Sequence, residues 1–146
     1  MRRNSGVRFL PVTHDFRPCR ERADEQGFFV FENKESFVHT YGISSEPEML
    51  SAVNFDKFYL VGIHQGLCPT GGYRIHVQKV RRYTGKAEIT VNFLEPRPDA
   101  IVTLAMTTPT VFLLVPRLAG EQEPPVFCFR SANGTVLAER MPKFDK

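Results

Sequence analysis

The fold is decided by residues 58–65, FYLVGIHQ, a run that is apolar at nearly every position. A strand that is hydrophobic on both of its faces is typical of one covered from two sides. The same pattern occurs in residues 28–31 (FFVF) and 111–115 (VFLLV). Residues 73–78 and 87–93 instead alternate apolar and polar side chains, which indicates strands with one solvated face.

These runs predict a mainly β protein. They give seven or eight strands, and their connections are too short for parallel crossovers, so we expect mainly antiparallel pairing. A single flat sheet would leave the doubly apolar strands uncovered on one face. We therefore predict a two-layer antiparallel sandwich or a partly open barrel.

One or two short helices accompany the strands. Asn33 is a candidate N-cap, and Gly42 is positioned to end a helix whose apolar stripe includes Phe37 and Tyr41. A further helical turn is expected at residues 48–52.

Three other segments carry local predictions. Residues 101–106 (IVTLAM) are apolar and predict a strand. The Asn133-Gly134 pair predicts a hairpin between residues 126–130 and 135–139. Residues 121–125 (EQEPP) predict a linker that sets this hairpin apart.

Positive charge is concentrated at the start of the chain. The 146 residues carry a net charge of +3, but the first 22 hold six Arg against two acidic residues, and the other 124 hold 13 Lys and Arg against 14 acidic residues. We expect an irregular basic lead-in at residues 1–26 and a single β-rich domain at residues 27–146. A near-neutral body argues against a nucleic-acid partner. The longest apolar run, residues 111–115, is too short for a membrane span.

The start of the chain and its cysteines give information about where in or outside the cell the protein is found. Cys19, Cys68 and Cys128 form no CxxC pattern, and an odd count leaves at least one thiol unpaired. Free thiols suit a reducing environment. No signal peptide is visible, so the sequence predicts a cytoplasmic protein if its first residues are native and an exported one if a signal sequence has been removed.

Motifs for enzymatic chemistry are absent from the sequence. No GxSxG, GxGxxG, GxxxxGK[ST] or HExxH occurs, and we predict neither catalytic residues nor a cofactor. One group of side chains has the chemistry of metal ligands. If residues 58–65 pair with residues 73–80, then His64 and His76 fall opposite each other, with Cys68 on the connection. Zinc sites use three or four ligands, and the sequence places no fourth ligand nearby.

The segment best suited to recognition is residues 66–73, GLCPTGGY. Pro69 fixes one φ angle, whereas Gly71 and Gly72 can adopt positive φ and allow close backbone approach. Tyr73 adds an amphipathic ring at the exit. Such a loop can present hydrogen-bonding groups to a partner, although a tight turn also requires glycine for its own geometry.

This loop and its surroundings resemble the C-terminal domain of the PrcB family. The likeness covers about residues 54–117 and includes VNFDK at residues 53–57, PTGGY, EPRP at residues 95–98, and Thr107-Thr108-Pro109 before the apolar run at 111–115. The resemblance implies a non-catalytic accessory subunit, since the family's namesake associates with a secreted subtilisin-like protease complex. The positions expected to bind a protein partner are Pro69, Thr70, Gly71, Gly72, Tyr73, Thr108 and Pro109.

A fainter likeness is to the chagasin-type inhibitors of cysteine proteases, whose Pro-Thr-Thr-Gly-Tyr loop enters the protease cleft. Here Thr70 is followed by Gly71 rather than by a second threonine, and the chain contains no tryptophan for the inhibitors' Arg-Pro-Trp loop. Direct protease inhibition is therefore the alternative function, and metal binding through His64, His76 and Cys68 is a further one.

Overall fold

The structure is a computed structural model that describes residues 2–3, 8–10, 26–43 and 47–142. Within these ranges lie nine strands, one α-helix and one 3-10 helix. The strands are β1 (Arg2–Arg3), β2 (Arg8–Leu10), β3 (Gly27–Phe31), β4 (Phe58–His64), β5 (Arg74–Tyr83), β6 (Lys86–Leu94), β7 (Thr110–Pro116), β8 (Val126–Arg130) and β9 (Val136–Arg140). The α-helix is α1 (Lys34–Tyr41), and the 3-10 helix is Glu48–Ala52.

The strands form two sheets. The five-stranded sheet has the order β1-β5-β6-β8-β9, and the four-stranded sheet has the order β2-β7-β4-β3. Core side chains of both sheets pack together between them, with Val61 and Leu113 on one side and Ile89 and Phe127 on the other. The predicted mainly β, two-layer sandwich is confirmed.

One strand pair departs from the antiparallel pattern. β6 pairs with β8 in parallel, from Lys86 opposite Val126 to Thr90 opposite Arg130. We expected connections too short for a parallel pair, but the chain between these strands crosses to the four-stranded sheet as β7 and then returns. That route supplies the long crossover that a parallel pair needs.

The four-stranded sheet is covered on both faces. Tyr59, Val61 and Ile63 of β4 face the core between the sheets, while Leu60 packs into a second cluster with Phe37 of α1. A strand buried on both sides must be apolar at successive positions. This explains the continuous hydrophobic run that predicts β4.

The caps of α1 agree with the prediction from sequence. The side-chain oxygen of Asn33 accepts a hydrogen bond from the Ser36 backbone N–H at 2.8 Å, and Gly42 ends the helix with φ +62°. The helical turn expected at residues 48–52 is the 3-10 helix. The hairpin at Asn133-Gly134 is also confirmed, because β8 and β9 pair antiparallel across it.

Two local predictions are wrong. Residues 101–106 form an irregular loop rather than a strand, and β7 begins only at Thr110. Residues 121–125 do not act as a free linker, because the Glu121 side chain is buried in an ion pair with Arg82 of β5. This pair fastens the segment before β8 to the five-stranded sheet.

The predicted lead-in at residues 1–26 lies mostly outside the described residues, so the division of the chain into a lead-in and one domain stays a prediction. In the described part of the chain, no helix combines the length and the apolar character that crossing a bilayer requires.

Candidate partner-binding site

Two loops meet at one end of the sandwich. The glycine loop (residues 66–73) joins β4 to β5, and the long loop (residues 95–109) joins β6 to β7. Cys68 and Thr107 form an isolated antiparallel bridge between them, with N···O distances of 2.8 and 2.9 Å. The Gly71 N–H donates to the Thr103 carbonyl at 3.0 Å, and the Thr107 hydroxyl donates to the Thr70 carbonyl at 2.9 Å. These hydrogen bonds hold the two loops together as one unit.

Gly71 and Gly72 lie where the two loops approach each other most closely. A Cβ at Gly71 would lie 2.5 Å from the Thr103 hydroxyl oxygen. Gly72 has φ +88°, and a Cβ there would lie 2.8 Å from Pro96 Cβ and 2.9 Å from Val102 Cγ1. Gly72 combines positive φ with a clash against the rigid Pro96 ring, so glycine is required at position 72, whereas a side chain at position 71 would need only the Thr103 hydroxyl to turn away.

The predicted site residues all lie in these two loops or where they join the strands. Pro69 and Gly72 are exposed, and the others are half-buried: Thr70, Gly71, Tyr73, Thr108 and Pro109. Some of their polar groups form hydrogen bonds within the protein. The Pro109 carbonyl accepts from the Gln65 N–H at 3.0 Å, and the Thr70 hydroxyl donates to the Gly71 carbonyl at 2.8 Å. The glycine loop therefore presents Leu67, Pro69 and Gly72 at the surface, while Gly66 and Cys68 are buried.

The sequence prediction missed the apolar residues at this surface. Ile101 is fully exposed, Leu104 is 86% exposed and Met106 is largely exposed, while Leu67 is 41% exposed. We name these four residues the apolar rim. Three of them lie in the segment 101–106, which was predicted to be a strand because it is apolar. The prolines that enclose it, at positions 96, 98 and 109, were the signal for a loop.

A buried hydrogen-bond chain lies behind the long loop. The Tyr41 hydroxyl is 2.6 Å from His64 Nε2, and His64 Nδ1 is 3.0 Å from the Thr110 hydroxyl, which in turn donates to the Thr108 carbonyl at 3.2 Å. Because the Thr110 proton is used on a carbonyl, we assign the proton of His64 to Nδ1, and Nε2 accepts from Tyr41. Burial raises the pKa of Tyr41 well above its ordinary value, which keeps the phenol protonated.

The metal cluster considered from the sequence is not assembled. β4 and β5 belong to different sheets, so they do not pair and His64 and His76 are not opposite each other. His64 instead bonds Tyr41 and Thr110, and His76 is exposed opposite Asn92. The described ranges contain no group of three or more His, Cys, Asp or Glu side chains arranged to hold a metal ion.

The thiols of the described residues are buried. Cys68 and Cys128 are free cysteines, and the Cys68 thiol donates to the Gly66 carbonyl at 3.7 Å. Burial, with a smaller contribution from Glu95, raises the pKa of the Cys68 thiol. This disfavours a nucleophilic thiolate at Cys68. Cys19 lies outside the described residues.

Comparison with known proteins gives one positive result. No curated protein and no solved structure matches this chain significantly. The family model described as PrcB C-terminal matches residues 59–116. The matched segment runs from β4 to the end of β7, and it contains both loops of the candidate site. The resemblance to the PrcB family is therefore confirmed over residues 59–116.

Proposed function

We propose that this chain is a non-catalytic protein-binding module, an accessory subunit of a protease complex, and that the glycine loop and the long loop form its docking surface. The family match suggests a subunit associated with a protease complex. The main support for this docking surface is the apolar rim. It exposes aliphatic side chains on two loops that backbone hydrogen bonds hold together.

The character of the rim favours a protein partner. Exposed aliphatic clusters bordered by polar residues mark interaction sites, and methionine is enriched in the centres of protein interfaces. Charged residues occupy the start of the long loop, where Glu95, Arg97 and Asp99 are exposed. Apolar side chains next to charged residues are the usual composition of a protein–protein contact.

The rigidity of the site also favours docking. Gly71 and Gly72 allow the glycine loop to lie directly against Thr103 and Val102, and the bridge at Cys68 fixes the base of the loop. A loop that is already ordered loses little conformational entropy when it binds a partner. We propose that Pro69, Thr70, Gly71, Gly72 and Tyr73, together with Thr108 and Pro109, contribute to the contact beside the apolar rim.

The test uses a subtilisin-like protease from the same source, inactivated at its catalytic serine, and measures its affinity for the full chain by calorimetry. Leu104→Asp is expected to weaken binding about tenfold or more, because it places a charge in an apolar contact. Since Leu104 is 86% exposed, the unfolding midpoint should not change. Val136→Asp is the matched control, because Val136 is an exposed aliphatic residue on β9 (47% exposed).

The outcomes separate the hypotheses. Failure of the chain to bind the protease would reject the accessory-subunit function. Equal losses in the two variants would place the docking surface elsewhere. If the chain binds the active protease and stops peptide hydrolysis stoichiometrically, it is a direct inhibitor; an accessory subunit leaves hydrolysis intact and lengthens the half-life of the protease.

A further inference from the structure

A second candidate site lies away from the two loops, on the outer face of the five-stranded sheet. A cavity of about 300 Å³ lies over β5, β6 and β8, beside the turn that follows β8. Its charged lining residues are Lys79, Arg81, Arg130 and Glu88, and Thr90 lies among them.

The strand register explains why these side chains converge. Thr90 of β6 is opposite Lys79 of β5 on one side and opposite Arg130 of β8 on the other, while Arg81 is opposite Glu88. Directly paired residues project to the same face of a sheet, with Cβ atoms about 4.5–5.5 Å apart. The register therefore places Lys79 and Arg130 on either side of Thr90, with Arg81 beside Glu88 on the same face.

The lining carries an excess of positive charge. Lys79, Arg81 and Arg130 contribute three positive charges and Glu88 one negative charge, which leaves +2. Glu88 is already engaged, with Lys86 Nζ at 3.0 Å and Arg130 Nη2 at 3.7 Å. Its carboxylate therefore neutralises only part of the cluster.

Two donors in the cluster have no acceptor among the described residues. The Nε atoms of Arg81 and Arg130 are buried and make no hydrogen bond to any of the described residues. A buried donor without an acceptor is unfavourable, so a ligand that supplies oxygen atoms would stabilise the cluster.

We propose that this cavity binds the phosphate group of a small molecule. A phosphate dianion matches the +2 lining, and its tetrahedral oxygens can accept from guanidinium, ammonium and hydroxyl groups that approach from different strands. A volume of about 300 Å³ exceeds that of the ion alone, so a small phosphomonoester also fits. The site is independent of the docking surface formed by the two loops.

Calorimetry at fixed ionic strength tests the site, with inorganic phosphate and glycerol phosphate as separate probes and chloride as the blank. Saturable binding of either phosphate is expected. Tighter binding of the ester would identify a phosphorylated metabolite as the ligand class, and tighter binding of inorganic phosphate would identify the free ion. Heats equal to those of chloride would overturn the proposal.

Substitutions inside and outside the cavity test whether phosphate binds there. Arg130→Gln is expected to weaken phosphate binding about tenfold or more, because a charge-assisted hydrogen bond is lost. Arg74→Gln is the matched control, since it removes an exposed arginine of β5 that does not line the cavity. Equal weakening in both variants would show unspecific charge attraction and overturn the site.

A variant that is expected to bind phosphate more tightly provides a test that does not depend on the folding of Arg130→Gln. Glu88→Gln removes the carboxylate of the cavity lining, and it is expected to tighten phosphate binding about threefold or more. Unchanged or weaker binding in a folded Glu88→Gln variant would contradict the proposed site.

Discussion

The Tyr41 hydroxyl lies 2.6 Å from Nε2 of His64, and both side chains are buried in the sheet face that α1 covers. The contact joins the end of α1 to the last residue of β4. A Cβ at Gly62 would lie 3.0 Å from this hydroxyl oxygen, so the small residue in β4 makes room for Tyr41. Removing the hydroxyl would leave a buried imidazole nitrogen without this donor.

Tyr41→Phe is therefore expected to lower the free energy of unfolding by about 1–3 kcal/mol, the usual effect of leaving a buried polar atom unsatisfied. Urea denaturation measures the loss. A double-mutant cycle with His64→Leu isolates the contribution of the contact, and additive effects would show that the hydrogen bond does not contribute.

The pH dependence of stability follows from the same side chain. Burial raises the pKa of Tyr41 in the folded state above the value near 10 expected in the unfolded state. Above that value the unfolded chain releases the phenolic proton while the folded chain retains it. Stability is therefore complete below about pH 10 and falls as the pH rises further.

Unfolding midpoints measured between about pH 8 and about pH 11 check this decline. Tyr41→Phe should show a shallower decline than the wild-type chain. Some decline should persist in the variant, because burial also raises the pKa of Tyr59. Identical slopes in the two chains would contradict a role for Tyr41.

The buried ion pair of Arg82 and Glu121 gives the third prediction. The two side chains are only 2% and 6% exposed, and the second carboxylate oxygen of Glu121 accepts from the Gly85 N–H at 2.9 Å. Glu121→Gln leaves the Arg82 charge buried without its counter-ion. We expect a loss of about 3–5 kcal/mol in unfolding free energy, measured by urea denaturation.

Glu123→Gln is the control for this loss. Glu123 is exposed and only two positions away, so its neutralisation should change stability by less than about 0.5 kcal/mol. Similar effects of the two substitutions would mean that Glu121 acts only through the net charge of the segment.

Gly72 and Gly85 provide a matched pair for the loop packing. Both have positive φ, +88° and +82°, but a Cβ at Gly85 meets no atom within 4 Å, whereas one at Gly72 clashes with Pro96 and Val102. Gly85→Ala should therefore lower stability by about 1 kcal/mol from backbone strain alone. Gly72→Ala should lower it by about 1–3 kcal/mol more.

Thermal and urea unfolding of the two alanine variants measure this difference. Equal effects would show that the long loop moves aside at little cost. The comparison also guides the choice of docking variants. A bulky substitution at Gly72 disturbs folding and binding together, whereas substitutions in the apolar rim separate them.

Much of the fold was predictable because burial leaves a direct pattern in the sequence. β4 and β7 are covered on both faces, so their apolar runs are continuous, and α1 carries its cap residues at both ends. The pairing of strands was less predictable. Neighbouring strands usually pair, but the glycine loop carries the chain from β4 to the other sheet.

The candidate site was predictable in part. The glycine loop was identified from its Pro and Gly residues, but the apolar rim was not, because residues 101–106 have the composition of a buried strand. Hydrophobicity alone does not distinguish a side chain that packs inside the domain from one left exposed at its surface. The cavity proposed to bind phosphate depends on the pairing of β6 with β8, which no local pattern indicates.

The parallel pairing of β6 with β8 also affects how the chain matures during synthesis. β6 leaves the ribosome before its partner exists, and the gap is filled only when Phe127 and Phe129 arrive. At about 5–20 residues per second the nascent chain spends several seconds with an open sheet edge and an uncovered apolar layer. An unpaired edge of this kind is a template for aggregation, and pairing with β8 covers it.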